Sequence, residues 1–166
     1  LSSLDGTNGF RLDGVDANDR SGYETISSAG DVNGDGFSDI IIGAWGADIG
    51  SKDRPGESYV VFGKANGWVA DMDLSSLDGT NGFRLNGVNE GDWSGNPVSN
   101  AGDVNGDGFS DIIIGAWVAD PDGNDVVGAG YVVFGQSPDE RADVQLWTRG
   151  GSAGLPLASV HACAAS

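Results

Sequence analysis

The apolar residues of this chain fall into short runs separated by Gly, Asn and Asp. In the first half these runs cover residues 23–29, 39–44, 58–62 and 82–86, and equivalents follow in the second half. They are rich in β-branched and aromatic residues, which favours strands, and no stretch keeps the helical apolar period of about 3.6 residues. The pattern predicts an all-β chain, in which continuous runs such as Ile40-Ile41-Ile42 form strands covered on both faces.

The runs recur because the sequence contains an internal repeat. The phrase LSSLDGTNGFRL at residues 1–12 returns at residues 74–85, and YVVFG at 59–63 returns at 131–135. A four-stranded unit repeated at a fixed spacing is typical of propeller blades. We therefore expect two β-propeller-type blades of four antiparallel strands in residues 1–135, with long loops at residues 45–57 and 63–81.

A nine-residue segment, DVNGDGFSD, stands at residues 31–39 and again at residues 103–111, each time directly before a strand. It places oxygen-bearing side chains at positions 1, 3, 5 and 9, a backbone carbonyl at position 7, and glycines at the tight turns. The candidate metal ligands are Asp31, Asn33, Asp35, the Phe37 carbonyl and Asp39 in the first copy, and Asp103, Asn105, Asp107, the Phe109 carbonyl and Asp111 in the second.

Hard oxygen donors in this number suit Ca²⁺ better than Mg²⁺, which demands a tighter octahedron. An EF-hand loop would supply a bidentate Glu at position 12, where this chain has Ile42 and Ile114. The alternative is that Asp, Asn and Gly form ordinary solvated turns, but two complete copies with four oxygen side chains at fixed offsets favour two calcium sites. The spacing predicts a calcium clip between adjacent strands of each blade.

Charge and composition narrow the function further. The chain has 25 acidic and 8 basic residues, a net charge of −17, so it repels nucleic acids and anionic lipid surfaces. It has one cysteine and no apolar run long enough to insert in a membrane. It opens at Leu1 without a signal peptide. Calcium sites with dissociation constants of order 0.1–1 mM would be empty in a cytosol, which indicates a secreted protein, extracellular or at the cell surface.

The segment AGDVNGDGFSDIIIGA, at residues 29–44 and 101–116 and followed by YVVFG, resembles the FG-GAP repeat family of integrin alpha-chain propellers and secreted bacterial proteins. The resemblance covers residues 1–135 and implies calcium ligation by the ten residues named above. Two departures stand out: the leading Phe-Gly of the family is Ser21-Gly22 and Ser94-Gly95 here, and its Gly-Ala-Pro ends in Trp45 and Trp117.

The C-terminal tail, residues 136–166, matches neither repeat and contains His161 and Cys163, the chain's one histidine and one cysteine. We interpret it as a poorly ordered or non-native end, with residues 143–147 as a candidate last strand of the second blade. The acidic stretch DPDGND at residues 120–125 is read as a solvated turn rather than a further cation site.

The favoured function is a binding or adhesion module in which calcium stiffens the blades so that one face presents loops to a protein or glycan. Trp45 and Trp117 are candidate sugar-stacking platforms, and the alternative is that their rings pack between blades. A polysaccharide-acting hydrolase or lyase has little support, because adjacent carboxylates are inevitable in so acidic a chain and a histidine- or cysteine-based site would need the tail. We predict that the chain is not an enzyme.

A closed propeller has about four to eight blades, and this sequence predicts two. We therefore expect a fragment of a larger propeller, a ring closed by several copies, or two blades that stack in some other way; three two-blade chains would form a six-bladed ring. A third function class is a purely structural segment that self-associates through its open strand edges and inter-blade faces.

Overall fold

The computed structural model of the protein describes residues 1–120 and 126–137. The strands, in chain order, are β1 (Arg11–Asp13), β2 (Ile26–Gly30), β3 (Asp39–Ala44), β4 (Glu57–Val61), β5 (Asp71–Asp73), β6 (Gly82–Asn86), β7 (Ser94–Gly102), β8 (Asp111–Ala116) and β9 (Ala129–Val133). A single 3-10 turn, Leu74–Ser76, lies between β5 and β6. The prediction of an all-β chain is confirmed.

The first blade is a four-stranded antiparallel sheet in the order β2-β3-β4-β6. Ile42 pairs with Ile26 on one side and with Tyr59 on the other, and Tyr59 pairs in turn with Arg84 of β6. The β-branched runs of β3 and β4 thus occupy the centre of the sheet, as their continuous apolar sequence predicts.

The second blade repeats this topology in the order β7-β8-β9, again antiparallel. Ile114 pairs with Val98 and with Tyr131, matching the register of the first blade at the repeat spacing. The candidate fourth strand at residues 143–147 and most of the C-terminal tail lie outside the described residues, as do residues 121–125 of the acidic stretch.

Two details differ from the strands that the sequence predicts. β2 begins at Ile26 rather than at residue 23, since Glu24 has φ 62° and interrupts the extended backbone. The segment at residues 63–81, predicted as a long loop, contains β5. This strand forms a short parallel pair with β1, in which Arg11 lies opposite Asp71. Arg11 also forms exposed ion pairs with Asp13 and Asp71.

The two blades pack face to face through one apolar cluster. Ile41 and Val60 of the first sheet lie in this cluster with Val98, Ile112 and Ile114 of the second. A second cluster covers the opposite face of the first blade, where Ile42, Tyr59 and Val61 pack against the 3-10 turn and Met72. The central strands of the first sheet therefore have apolar packing on both faces, which accounts for their unbroken apolar sequence.

Within the described residues, no helix has the length and apolar character needed to cross a bilayer.

The inter-blade cluster predicts a large cost for truncating Ile112, which is 1% exposed. Ile112→Ala should lower the free energy of unfolding by about 2–5 kcal/mol, because a cavity replaces contacts with the first blade. Val69→Ala is the matched control: Val69 is 56% exposed, and its truncation should change stability by less than about 0.5 kcal/mol. Urea denaturation followed by tryptophan fluorescence measures both. Equal, small effects would contradict a packed interface between the blades.

Candidate functional site

The two Asp-rich loops occupy equivalent places in the blades. Residues 31–38 connect β2 to β3, and residues 103–110 connect β7 to β8, so that each loop ends at the buried first residue of a central strand. Gly34 and Gly36 have φ of 73° and 87°, and Gly106 and Gly108 have φ of 79° and 93°. Backbone of this left-handed kind favours glycine, which explains the two glycines in each loop.

The first carboxylate of each loop organises the turn. Asp31 accepts hydrogen bonds from the backbone N–H groups of Gly34 at 2.6 Å, Asp35 at 3.1 Å and Gly36 at 2.9 Å. Asp103 accepts the equivalent bonds from Gly106, Asp107 and Gly108 at 2.8, 3.1 and 3.0 Å. The loop backbone is therefore wrapped around one carboxylate in both copies.

The middle of each loop brings an amide and a carboxylate together. Asn33 donates from its side-chain nitrogen to Asp35 at 2.8 Å, and Asp35 accepts from the Phe37 backbone N–H at 2.9 Å. In the second loop Asn105 donates to Asp107 at 2.6 Å, and Phe109 donates to Asp107 at 2.9 Å. The two copies share one hydrogen-bonding pattern, side chain for side chain.

The last carboxylate is buried and joins the loop to a distant part of the sheet. Asp39 accepts from the backbone N–H of Val32 at 2.9 Å and of Gly63 at 2.8 Å. Asp111 likewise accepts from Val104 at 2.7 Å and Gly135 at 2.9 Å. Burial raises the pKa of the Asp39 carboxyl to about 6, opposed by these two backbone donors and reinforced by the nearby Asp35 and Asp31.

The donor set of each loop consists of carboxylate, amide and carbonyl oxygens, the ligands that Ca²⁺ prefers. Within residues 1–120 and 126–137, no group of three or more acidic, His or Cys side chains converges as a metal cluster. A cation held here would therefore need the Asn33 or Asn105 oxygen and a loop carbonyl besides the carboxylates. Each carboxylate oxygen has more than one acceptor position, so the backbone hydrogen bonds leave room for a cation. The chemistry of the donors fits a hard divalent cation.

The first loop also lies in the seam between the blades. The Ser110 backbone N–H donates to the Asp31 carbonyl at 2.9 Å, and the Asp31 N–H donates to the Ser110 hydroxyl at 3.2 Å. Gly34 faces the Phe109 ring so closely that an added Cβ would stand 2.4 Å from the ring carbon Cε1. The two candidate cation loops are thus neighbours joined directly by hydrogen bonds.

The repeated tryptophans lie in an aromatic row that crosses the same seam. The Arg20 guanidinium lies 4.2 Å from the Trp45 ring centre, the Trp45 and Trp93 centres are 5.1 Å apart, and those of Trp93 and Trp117 are 5.4 Å apart. Trp45 is 7% exposed and so packs between blades, which corrects its interpretation as a ligand platform. Trp117 is 55% exposed.

Sequence reasoning named the loop side chains but not the groups that hold them. Gly63 and Gly135, the donors to Asp39 and Asp111, lie 24 residues further along the chain. The signal for them was present in the sequence, because YVVFG keeps its glycine at the same distance from the Asp-rich loop in both repeats. Trp93 had no such signal, since its counterpart in the first repeat is Arg20.

Residues 25–61, which comprise β2, the first Asp-rich loop, β3 and β4, match the FG-GAP repeat family. Together with the antiparallel sheets, this match shows that the chain carries an FG-GAP repeat segment of the β-propeller type.

The chain is similar to several integrin alpha chains. The chain is 34% identical to integrin alpha pat-2 of Caenorhabditis elegans over 101 residues, which are 55% of this chain and 7% of that protein. It is 30% identical to integrin alpha-4 of Xenopus laevis over 111 residues, or 67% of this chain and 10% of that protein. It is 35% identical to integrin alpha-6 of Gallus gallus over 86 residues, or 52% and 7%. The chain thus spans a tenth or less of the length of these relatives.

The seam predicts different responses to one substitution in the two loops. Gly34→Ala and Gly106→Ala both impose a left-handed backbone on alanine, at about 1–2 kcal/mol each. A Cβ at Gly106 meets nothing within 4 Å in the described structure, whereas one at Gly34 displaces the Phe109 ring and adds an overpacking cost of about 1–3 kcal/mol. Urea denaturation of both variants should show Gly34→Ala as the less stable. Equal losses would place the Phe109 ring away from the first loop.

Proposed function

We propose that the chain is a calcium-stabilised β-propeller repeat module that serves adhesion outside the cell or at its surface. The observation that carries this proposal is the repetition of one loop geometry, built only from oxygen donors and glycine turns, in both blades. Asp31, Asn33, Asp35, the Phe37 carbonyl and Asp39 would hold one ion; Asp103, Asn105, Asp107, the Phe109 carbonyl and Asp111 would hold the other.

The electrostatics of the loops support a role for the ion. Three carboxylates lie within nine residues, and Asp39 is 1% exposed with its pKa raised by burial and by its acidic neighbours. A divalent cation would offset this repulsion and favour the ionised carboxylates. Because Asp39 accepts from Val32 and Gly63, an ion bound to the loop would also tighten the link between β3 and the end of β4.

The role in adhesion is supported by the matches to integrin alpha chains, and we propose a protein ligand, with a glycan as the alternative. The rigid sheets would present the loops that connect them, as is common where binding residues sit on a fixed scaffold. We propose no catalytic role for the chain. The division into a two-blade unit at residues 1–135 and a separate tail at residues 136–166 is likewise part of this proposal.

The test is thermal unfolding with and without calcium. At ~2 mM Ca²⁺ and dissociation constants of order 0.1–1 mM, two sites would add about 1–4 kcal/mol, which raises Tm by several degrees for a chain of this size. Magnesium should raise Tm less, because Mg²⁺ is smaller, requires near-octahedral coordination at shorter distances and gives up its bound water reluctantly. The double variant Asp35→Ala with Asp107→Ala should lose the response to both ions.

A matched control removes the same charge elsewhere. Asp53 and Glu90 are exposed and lie outside both loops, so Asp53→Ala with Glu90→Ala should keep the calcium response. A calcium response that survives in the loop variant, or none in the unmodified chain, would reject the loops as calcium sites.

A further inference from the structure

The two blades have the same central strand, Asp-Ile-Ile-Ile-Gly-Ala, in different surroundings. Four residues on one side of the first blade are buried: Val32, Ile41, Trp45 and Val60 are 2%, 0%, 7% and 0% exposed. Their counterparts at the repeat spacing are not: Val104, Ile113, Trp117 and Val132 are 59%, 40%, 55% and 43% exposed. The side of the second blade formed by these four residues is called the trailing face below.

What covers the first blade defines what would fit the trailing face. Ile41 and Val60 pack against Val98, Ile112 and Ile114, with Leu85 and Phe83 of β6 at the edge of the same cluster. The trailing face has the same residue types as the covered face of the first blade. A surface that fits it should therefore offer three aliphatic strand residues, like Val98, Ile112 and Ile114, beside an outer strand like β6.

The opposite side of the first blade has that complementary surface. An apolar groove of about 390 Å³ is lined there by Ile26, Ile40, Ile42, Phe10 and Leu12, among others. At the repeat spacing these are the counterparts of Val98, Ile112, Ile114, Phe83 and Leu85. The groove therefore has the residues that the second blade presents to the first within the chain. Phe10 and Leu12 at β1 line it where Phe83 and Leu85 of β6 lie in the seam between the two blades.

We infer that the trailing face of one copy docks into this groove on a second copy, repeating the seam between the two blades of one chain. This inference goes beyond the proposed function and rests on its assignment of two propeller-type blades. Ile113 and Val132 of one copy would contact Ile26 and Ile40 of the next, which are only partly covered within their own chain, as Ile41 and Val60 contact the second blade within the chain.

The aromatic row gives independent support for the same arrangement. Arg20 and Trp93 occupy corresponding positions and share a left-handed backbone, with φ of 60° and 54°. Within the chain, Trp93 stacks on Trp45 across the seam at 5.1 Å. The corresponding contact between copies would place the exposed Arg20 guanidinium, which lies over Trp45 of its own chain, against the exposed Trp117 ring of the other copy, an arrangement that a cation and an indole ring favour.

The edges of the sheets are compatible with the same docking. β9 pairs with β8 in the described structure, and at the equivalent position of the first blade β4 pairs with β6. The segment Gly9-Phe10-Arg11-Leu12 repeats the Gly-Phe-Arg-Leu of β6 letter for letter. In the docked pair, β1 of one copy would lie beside β9 of the other, in place of the candidate strand at residues 143–147, with Tyr131 opposite Arg11 as Tyr59 is opposite Arg84. The contact is head to tail, so it generates a closed ring or an open fibre rather than a two-fold dimer.

The experiment uses the full chain and two lysine variants, one on each surface. Val132→Lys blocks the trailing face, and Ile26→Lys, at a position 63% exposed, blocks the groove. By sedimentation velocity in calcium, the unmodified chain should form species of two or more chains as its concentration rises, and each variant alone should stay at the mass of one chain. Val69→Lys is the control, since Val69 is 56% exposed, between Val132 at 43% and Ile26 at 63%, and the charge change is the same; this variant should associate like the unmodified chain.

Mixing the two blocked variants is the decisive step. Each keeps the surface that the other has lost, so an equimolar mixture should form a species of two chains and grow no further. The inference is overturned if the unmodified chain stays monomeric, if either variant associates by itself, or if the mixture remains at the mass of one chain. A monomer that still gains Tm with calcium would reject this contact alone, whereas the absence of a calcium response would reject the calcium loops separately.

Discussion

The structure depends on one constraint: the central strands are apolar on both faces, so a single blade cannot be stable alone. In β3, Ile41 points into the seam with the second blade while Ile42 points into the cluster on the opposite side. Burial of apolar surface is the dominant favourable term in folding, and a sheet face without a neighbour, such as the trailing face of the second blade, forgoes part of it. Stacking of blades follows directly from the composition of these strands.

The polar loops are organised by this stacking rather than independently of it. The buried Asp39 carboxylate at the start of β3 accepts hydrogen bonds from Val32 of its own loop and from Gly63, just beyond the end of β4. Ser110 at the end of the second loop is bonded to the start of the first. The positions of the loop carboxylates therefore depend both on the packing of their own sheet and on the position of the next blade.

The strands and loop ligands could be predicted because local patterns specify them. The short apolar runs bounded by Gly, Asn and Asp placed β3, β4 and β6 within a residue of their observed bounds, and the offsets of Asp, Asn and Gly identified the loops. The pairing of β1 with β5 could not be predicted, because three-residue strands carry too little pattern. Nor could the different exposures of Ile41 and Ile113, since identical residues in identical strands differ only in the neighbour that covers them. Local sequence cannot encode that neighbour.

The position of β6 has a consequence for how such a chain can lengthen. Its residues belong by sequence to the head of the second repeat, yet they form the outer strand of the first sheet. Each junction between repeats is therefore spanned by a strand that one unit supplies and its neighbour uses. Duplication of a whole repeat would add a blade and, at the same time, a strand that pairs with the preceding sheet. Every added sheet would therefore stay linked to its neighbour through the chain itself.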